Sequence, residues 1–486
     1  MVVAVLLGAC TTSADPPAET TLPATTVTTA PATTTTTLRD CPAGILPYSD
    51  LGSDPVMASI AISRATFICA NTVLLAAVGD ERALAAAVAA GGGPLLLVDG
   101  VISLEALSEI DRLGPTTVLT SGLAPSALGP LEETSELDPG TPIEDAPLTG
   151  VDRLWVAPAG SPGPAAAATI AAALTPNSGV VIAGDADLRA IEERSLVRSA
   201  AQVLAVGFHG EDWKWQLEAV RAGHEIPGGG LLMFPGRRIV AFYGNPTTRF
   251  LGVLGEQGPA ETAERIAEVA APYAADGLAV LPTFEIIASV ASARAGADND
   301  YSQEMDIATL QPWVDFAAEN GLYVLLDLQP GRTDFLTQAM RYEELLRLPH
   351  VGLALDPEWR LKPNQVHLTQ IGSVGADEVN AVSEWLATLT RENALPQKLL
   401  LLHQFKFTML PDREDIVGRP ELAMVLQMDG QGPLATKYET WRALTTGAED
   451  APWLWGWKSF YDEDSPMATP EQVLALEPQI VLISFQ

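Results

Sequence analysis

Cysteine and histidine are both scarce, three Cys and five His in 486 residues, and no Cys/His spacing resembles that of structural zinc. No metal ion and no cofactor is expected. Basic residues are few as well, 28 against 61 acidic ones, for a formal charge of -33. A field of that sign repels phosphate backbones and anionic headgroups, which speaks against nucleic acid as a partner. Beyond the first residues no stretch offers the roughly 18 uninterrupted apolar residues that span a bilayer. A P-loop, a Gly-x-Ser-x-Gly elbow and a dinucleotide fingerprint are all missing.

What is present begins at the N-terminus. Val2–Leu7 is apolar, and Leu7-Gly8-Ala9-Cys10 has the small residues and acylatable thiol of a lipobox, so residues 1–10 are expected to direct export and lipid attachment at Cys10. The apolar run is short and no Lys or Arg precedes it, so the start codon is expected upstream; a buried N-terminal strand is the alternative. Residues 11–42 are rich in Thr, Ala and Pro and offer little to bury, as in a solvated stalk. The expected location is extracytoplasmic, lipid-anchored and wall-associated. Cys41 and Cys69 then form an even pair in a compartment that permits a disulfide; two buried thiols remain the alternative.

From residue 43 to 225 short apolar runs alternate with Ala-rich helical stretches, the pattern of parallel sheets flanked by helices. Strands are predicted at 72–77, 94–98, 117–120, 154–157, 179–183 and 202–206, and helices at 81–90, 103–113, 165–174 and 188–199. The order recurs after about 80 residues, the mark of an internal duplication. Asn71–Ala77, Gly93–Asp99, Leu113-Gly114-Pro115 and Val118–Gly122 resemble the putative cell-wall-binding repeat family of Gram-positive surface proteins. That resemblance implies non-covalent attachment to a wall polymer or peptidoglycan.

Residues 236–486 change pattern. Eight strands are predicted, at 239–244, 278–284, 323–328, 351–355, 398–404, 422–427, 452–457 and 480–485, with helices at 260–274, 310–320, 333–346, 376–392 and 437–444. Eight alternations over about 250 residues make a (β/α)8 TIM-like barrel, so the fold class is α/β: repeated parallel units followed by a barrel. No helix is predicted after the last strand, and the helical pattern over Trp213–Arg221 is expected to cover that position. Gly228-Gly229-Gly230 reads as a flexible join.

Function in such a barrel gathers where the strands end. The residues there are Tyr243 and Asn245, Glu285, Asp327 and Gln329, Asp356 and Glu358, His403 and Gln404, Asp429, Trp457 and Lys458, and Ser484. Carboxylates are costly to bury unless paired or used. In Leu355-Asp356-Pro357-Glu358-Trp359 an extended chain would turn Asp356 and Glu358 to one side, each shifting the other's pKa. The tripeptide at strand four is similar to that of chitinase-like and lysozyme-type glycoside hydrolase barrels, which implies Glu358 as proton donor and Asp356 as its assistant; a turn cap and an Arg360 pair are the alternatives. Tyr243, Asn245, Glu285, Asp327, His403, Gln404, Asp429, Trp457 and Lys458 are the candidate substrate contacts. A salt bridge to Arg332 competes for Asp327, and a helix start competes for Glu285. Tyr243, Trp359, Trp453, Trp455, Trp457, Phe460 and Tyr461 add aromatic faces of the kind that stack on pyranose rings, or ordinary packing under loops. The expectation is a surface lipoprotein that binds, and by carboxylate acid/base chemistry hydrolyses, an envelope or extracellular polysaccharide; the alternative is a non-catalytic wall-binding or adhesion lipoprotein.

Overall fold

A computed structural model describes residues 54–78, 94–131, 133–137, 153–158, 178–183, 187–191, 194–205 and 212–486. All belong to one unit, Asp40–Gln486. The lipobox with Cys10, the stalk, Cys41 and the helices expected at 81–90 and 165–174 lie outside the described residues.

The first apolar runs become strands β1 (Thr72–Ala77), β2 (Leu95–Val98), β3 (Thr117–Ser121) and β4 (Ser135–Glu136), all parallel, in the order β2-β1-β3-β4. β2 is buried throughout and β1 nearly so, as an unbroken Leu/Val run requires when a parallel sheet is covered. The helix Leu104–Leu113 starts on the Ser103 side-chain cap and stops at Gly114, whose φ of 59° few other residues adopt. Its Glu109 is buried and held by Arg112, Arg64 and Ser63. Cys69 is disulfide-bonded, and its partner lies outside the described residues.

Strands β5 (Arg153–Pro158), β6 (Ser178–Ala183) and β7 (Gln202–Ala205) form a second parallel sheet, ordered β6-β5-β7. The helix expected over 188–199 is broken, into a 3-10 turn Leu188–Ala190 capped by Asp187 and a short helix Arg194–Ser199. The pattern at Trp213–Arg221 does form a helix, Asp212–Ala222, but not where it was expected. Trp213, Leu217 and Val220 pack with Leu154, Val156, Leu188, Val197 and Leu231, so its apolar face serves the second sheet and not the last barrel strand.

The barrel strands are β8 (Arg237–Gly244), β9 (Ala279–Ala291), β11 (Tyr323–Leu328), β12 (Val351–Leu355), β13 (Lys398–Gln404), β14 (Leu422–Met428), β15 (Leu454–Ser459) and β16 (Ile480–Phe485); a short β10 (Ser302–Glu304) runs antiparallel on the end of β9. The eight are parallel neighbours in chain order, and β16 pairs back to β8, which closes the barrel. Closure proceeds without a helix over β16 because aromatic rings do the covering. Phe485 packs against Phe242, Tyr273 and Tyr461 at centroid distances of 6.2, 6.2 and 5.8 Å. Glu285 does not start a helix, since β9 continues six residues beyond it.

Side chains alternate between the lumen and the helix-facing layer. The lumen floor is apolar: Ile239, Ala241, Leu281, Tyr323, Leu325, Ala354, Leu399, Leu401, Val425 and Leu482. Ile226 and Met233, on either side of the glycine triplet, belong to the same cluster. The triplet is accordingly an ordered plug, with Ile226 N donating to Gly230 O and the Arg237 guanidinium donating to the carbonyls of Pro227 and Gly229. All three glycines have φ between 82° and 91°, which a side chain would strain.

Candidate active site

Above that floor the inward positions turn polar. Tyr243, Glu285, Asp327, Asp356, His403, Gln427, Asp429, Lys458 and Ser484 reach the lumen at the C-terminal ends of their strands, each buried to at least nine-tenths. His403 is the hub. Its Nδ1 lies 3.0 Å from Asp429 Oδ2, and its Nε2 lies 3.2 Å from Glu285 Oε1 and 3.5 Å from Asp327 Oδ1. Lys458 Nζ stands 3.1 Å from Asp429 Oδ1 and 3.6 Å over the Tyr243 ring. The Tyr243 hydroxyl donates to Asp327 Oδ2 at 3.0 Å and accepts from Gln329 Nε2 at 3.1 Å. Ser484 Oγ donates a short hydrogen bond to Glu285 Oε2.

Four carboxylates around two cations cannot all ionise cheaply, and the environment divides them. Burial pushes Asp327 up to about 6, against the pull of His403. Burial also lifts Asp356 well above the ordinary range despite His403. Asp429 goes the other way: burial would raise it, but Lys458 and His403 outweigh that and hold it low. His403 and Lys458, which burial alone would lower, are raised by the carboxylates, Asp429 foremost, and stay protonated. Tyr243 is held as a donor by burial and by Asp327.

Glu358 sits on the rim, half-buried. The chain does not run on as a strand after Leu355; Pro357 turns it into a 3-10 turn, Pro357–Trp359, and Asp356 caps that turn by accepting from Glu358 N at 3.2 Å. The alternation that would turn both side chains to one side therefore stops at Asp356. Glu358 does not pair with Arg360, whose guanidinium binds Glu378 at 2.9 Å. Its carboxylate accepts no hydrogen bond from a described residue. Burial, reinforced by the charge of Asp429, pushes it up to about 7.

Three candidates lie elsewhere. Asn245 is a corner residue, donating to Ile287 O and accepting from Thr247 N and Oγ1. Gln404 follows inward His403 and so points out, where it accepts from Arg413. Trp457 precedes inward Lys458 and packs outside against Trp441 and Tyr438, in a layer that also holds Trp453 and Trp455. Asp327 makes no salt bridge to Arg332, which donates instead to Gln365 O. Gln427 is the addition. It is fully buried on the lumen side, two residues before Asp429, with neither amide atom partnered. The period-two pattern Ala423, Val425, Gln427, Asp429 was the signal that could have found it.

No family model, curated protein or solved structure matches the chain. Both resemblances rest on the residues quoted for them. Among the described residues one cluster, Asp356, His403 and Asp429, brings potential ligand atoms within 4.8 Å of one another, but the Asp429 oxygens face His403 and Lys458. A cationic lysine and imidazole against the same carboxylate fit proton chemistry better than a divalent ion.

Proposed function

We propose that the barrel hydrolyses glycosidic bonds in an envelope or extracellular polysaccharide, with Glu358 as proton donor. The observation that carries the reading is a pair of carboxylates with opposed environments at one barrel mouth: Glu358, half-buried, unpartnered and lifted to about 7, and Asp429, held ionised by Lys458 and His403. Environments that separate two pKa values assign acid and base. The Glu358 proton passes to the glycosidic oxygen as the C–O bond breaks, water adds to the anomeric carbon and returns a proton to Glu358, and the Asp429 carboxylate, kept ionised by Lys458 and His403, offsets through space the positive charge that develops at that carbon. Asp356 assists by fixing the turn that presents Glu358. Tyr243, Glu285, Asp327 and Ser484 hold the hub in place.

The rest of the chain delivers this barrel to its substrate. Cys10 takes the lipid, the Thr-rich segment is a spacer, and β1–β7 hold a wall polymer; the common order β2-β1-β3 and β6-β5-β7 supports a duplicated unit. One observation favours a non-catalytic adhesin instead: the deep charges pair with one another and are at most 8% exposed, as in a sealed structural network. Release of reducing ends from peptidoglycan, chitin-like, α-glucan and acidic polysaccharides decides between them. Binding without release from any substrate would leave the adhesin.

A further inference from the structure

The rim of the mouth bears on the kind of glycan, an inference that rests on the glycan reading above. In a chain with 61 acidic residues and 28 basic ones, cations near carboxylates are commonly paired, as Arg360 is with Glu378 and Lys458 with Asp429. Arg332 is an exception. Its Nε and Nη2 donate to a single carbonyl, Gln365 O, at 3.2 and 2.9 Å, and its guanidinium lies 4.5 Å over the Tyr301 ring. It makes no ion pair with a described carboxylate, and its Nη1 donates to no described group.

The position of Arg332 is rigidly specified. Arg332 N donates to Asp300 O at 2.6 Å and Arg332 O accepts from Arg360 at 3.2 Å, while Leu361 N donates to Gly331 O. A Cβ on Gly331 would fall 2.1 Å from Asp300 O, and Tyr301 is held at a φ of 66°, an uncommon value for a residue with a side chain. Such strain persists only where its surroundings over-determine it. The same loops assemble an aromatic wall. His367 packs edge-on against Trp359 at 5.3 Å and Tyr301 at 6.3 Å, its Nε2 is 2.9 Å from Tyr301 O, and Trp359 directly follows Glu358. All three rings are half-buried.

We infer that the glycan is acidic and that a carboxylate-bearing sugar lies against this wall, its ring on the aromatic faces and its carboxylate on the free end of Arg332. An aromatic face takes the C–H side of a pyranose, and a guanidinium end with two outward nitrogens matches two carboxylate oxygens. Both features on one monomer specify a uronic-type sugar. A glycerol or ribitol phosphate polymer brings the charge without a pyranose ring to stack.

The test uses the full chain carrying Glu358→Gln, so that bound polymer is not cleaved, and measures affinity for polygalacturonate, alginate and hyaluronan, for neutral mannan, pullulan and dextran, and for polyglycerol phosphate. The expected result is binding to at least one uronate polymer about tenfold or more tighter than to any neutral one. Arg332→Gln should lower that binding about tenfold with the unfolding temperature unchanged. If Arg332→Gln disturbs folding, Arg332→Lys keeps the charge and loses the fork, and should still lose severalfold. Equal binding of neutral polymers, preference for polyglycerol phosphate, no binding to any uronate polymer, or Arg332 variants that bind like their parent would each overturn the inference. Hydrolysis by the unmodified chain is scored separately: uronate binding without turnover removes the hydrolase and leaves this site standing.

Discussion

Glu358→Gln separates catalysis from stability in opposite directions. Glu358 has an ordinary value of 4.5 and is lifted to about 7 by burial and Asp429. Between those values the folded state binds more protons than the unfolded one, so stability falls as pH rises from 4.5 to about 7, and above that the full cost is present. The gap corresponds to at most about 3 kcal/mol, somewhat less once residual solvent contact is counted. Gln keeps the volume and cannot ionise. The variant should be as stable as the parent at pH 4 and more stable at pH 8, by on the order of 1–3 kcal/mol in urea unfolding. Turnover should fall by about a hundredfold to ten-thousandfold. The parent's kcat/KM should drop about tenfold per pH unit above 7 as the donor deprotonates, and fall at the acid end only when Asp429, held low, takes a proton. A variant that loses activity but gains no stability at pH 8 would show that Glu358 is not desolvated. One that gains stability and keeps its rate would move the proton donor elsewhere.

Three further outcomes follow from other parts of the molecule. His403→Ala removes the cation between Asp429, Glu285 and Asp327 and should cost about 3–5 kcal/mol in urea unfolding at pH 7, since it leaves buried charge uncompensated; a loss below about 1 kcal/mol would mean that the carboxylates are already neutral. Cys10→Ser should shift the protein from membrane fraction to medium, and retention in membranes would contradict the lipid anchor. Cys69 is disulfide-bonded, and with Cys41 as partner the bridge should contribute about 3 kcal/mol. Cys41→Ser should then expose Cys69 to alkylation in denatured, unreduced protein, whereas a Cys69 that stays blocked would point to Cys10.

The barrel was legible because its strands are local apolar runs: 323–328, 351–355, 398–404 and 480–485 appear with the bounds the sequence suggests. Inward and outward positions were legible too, wherever period two was followed. Gln404 and Trp457, next to inward His403 and Lys458, point out of the lumen, as period two requires. The same rule exposes Gln427. Aromatic density misled for the same reason, since Trp455 and Trp457 flank inward Gly456 and face the helices.

The partner of Glu358 was not legible, and the cause is physical. Asp356 stands two residues from it, which in an extended chain means a shared face; but Pro357 fits the 3-10 turn, and the turn takes Glu358 to the rim while Asp356 stays in the lumen. What keeps one carboxylate ionised and another protonated is then the distribution of two cations contributed by β13 and the β15 strand. Lys458 is 29 residues from Asp429 and His403 is 26, and both reach it only because β13, β14 and β15 are adjacent and in register in a closed barrel. Asp356, with no lysine on it, is left to burial and drifts upward; Asp429, with two cations, is driven down. Chemistry assigned to a tripeptide therefore belongs to three neighbouring strands, and removing one cation with Lys458→Met should raise the Asp429 carboxylate even with His403 still beside it, read as an acid limb of the kcat/KM profile that moves to higher pH; an unmoved acid limb would refute the assignment.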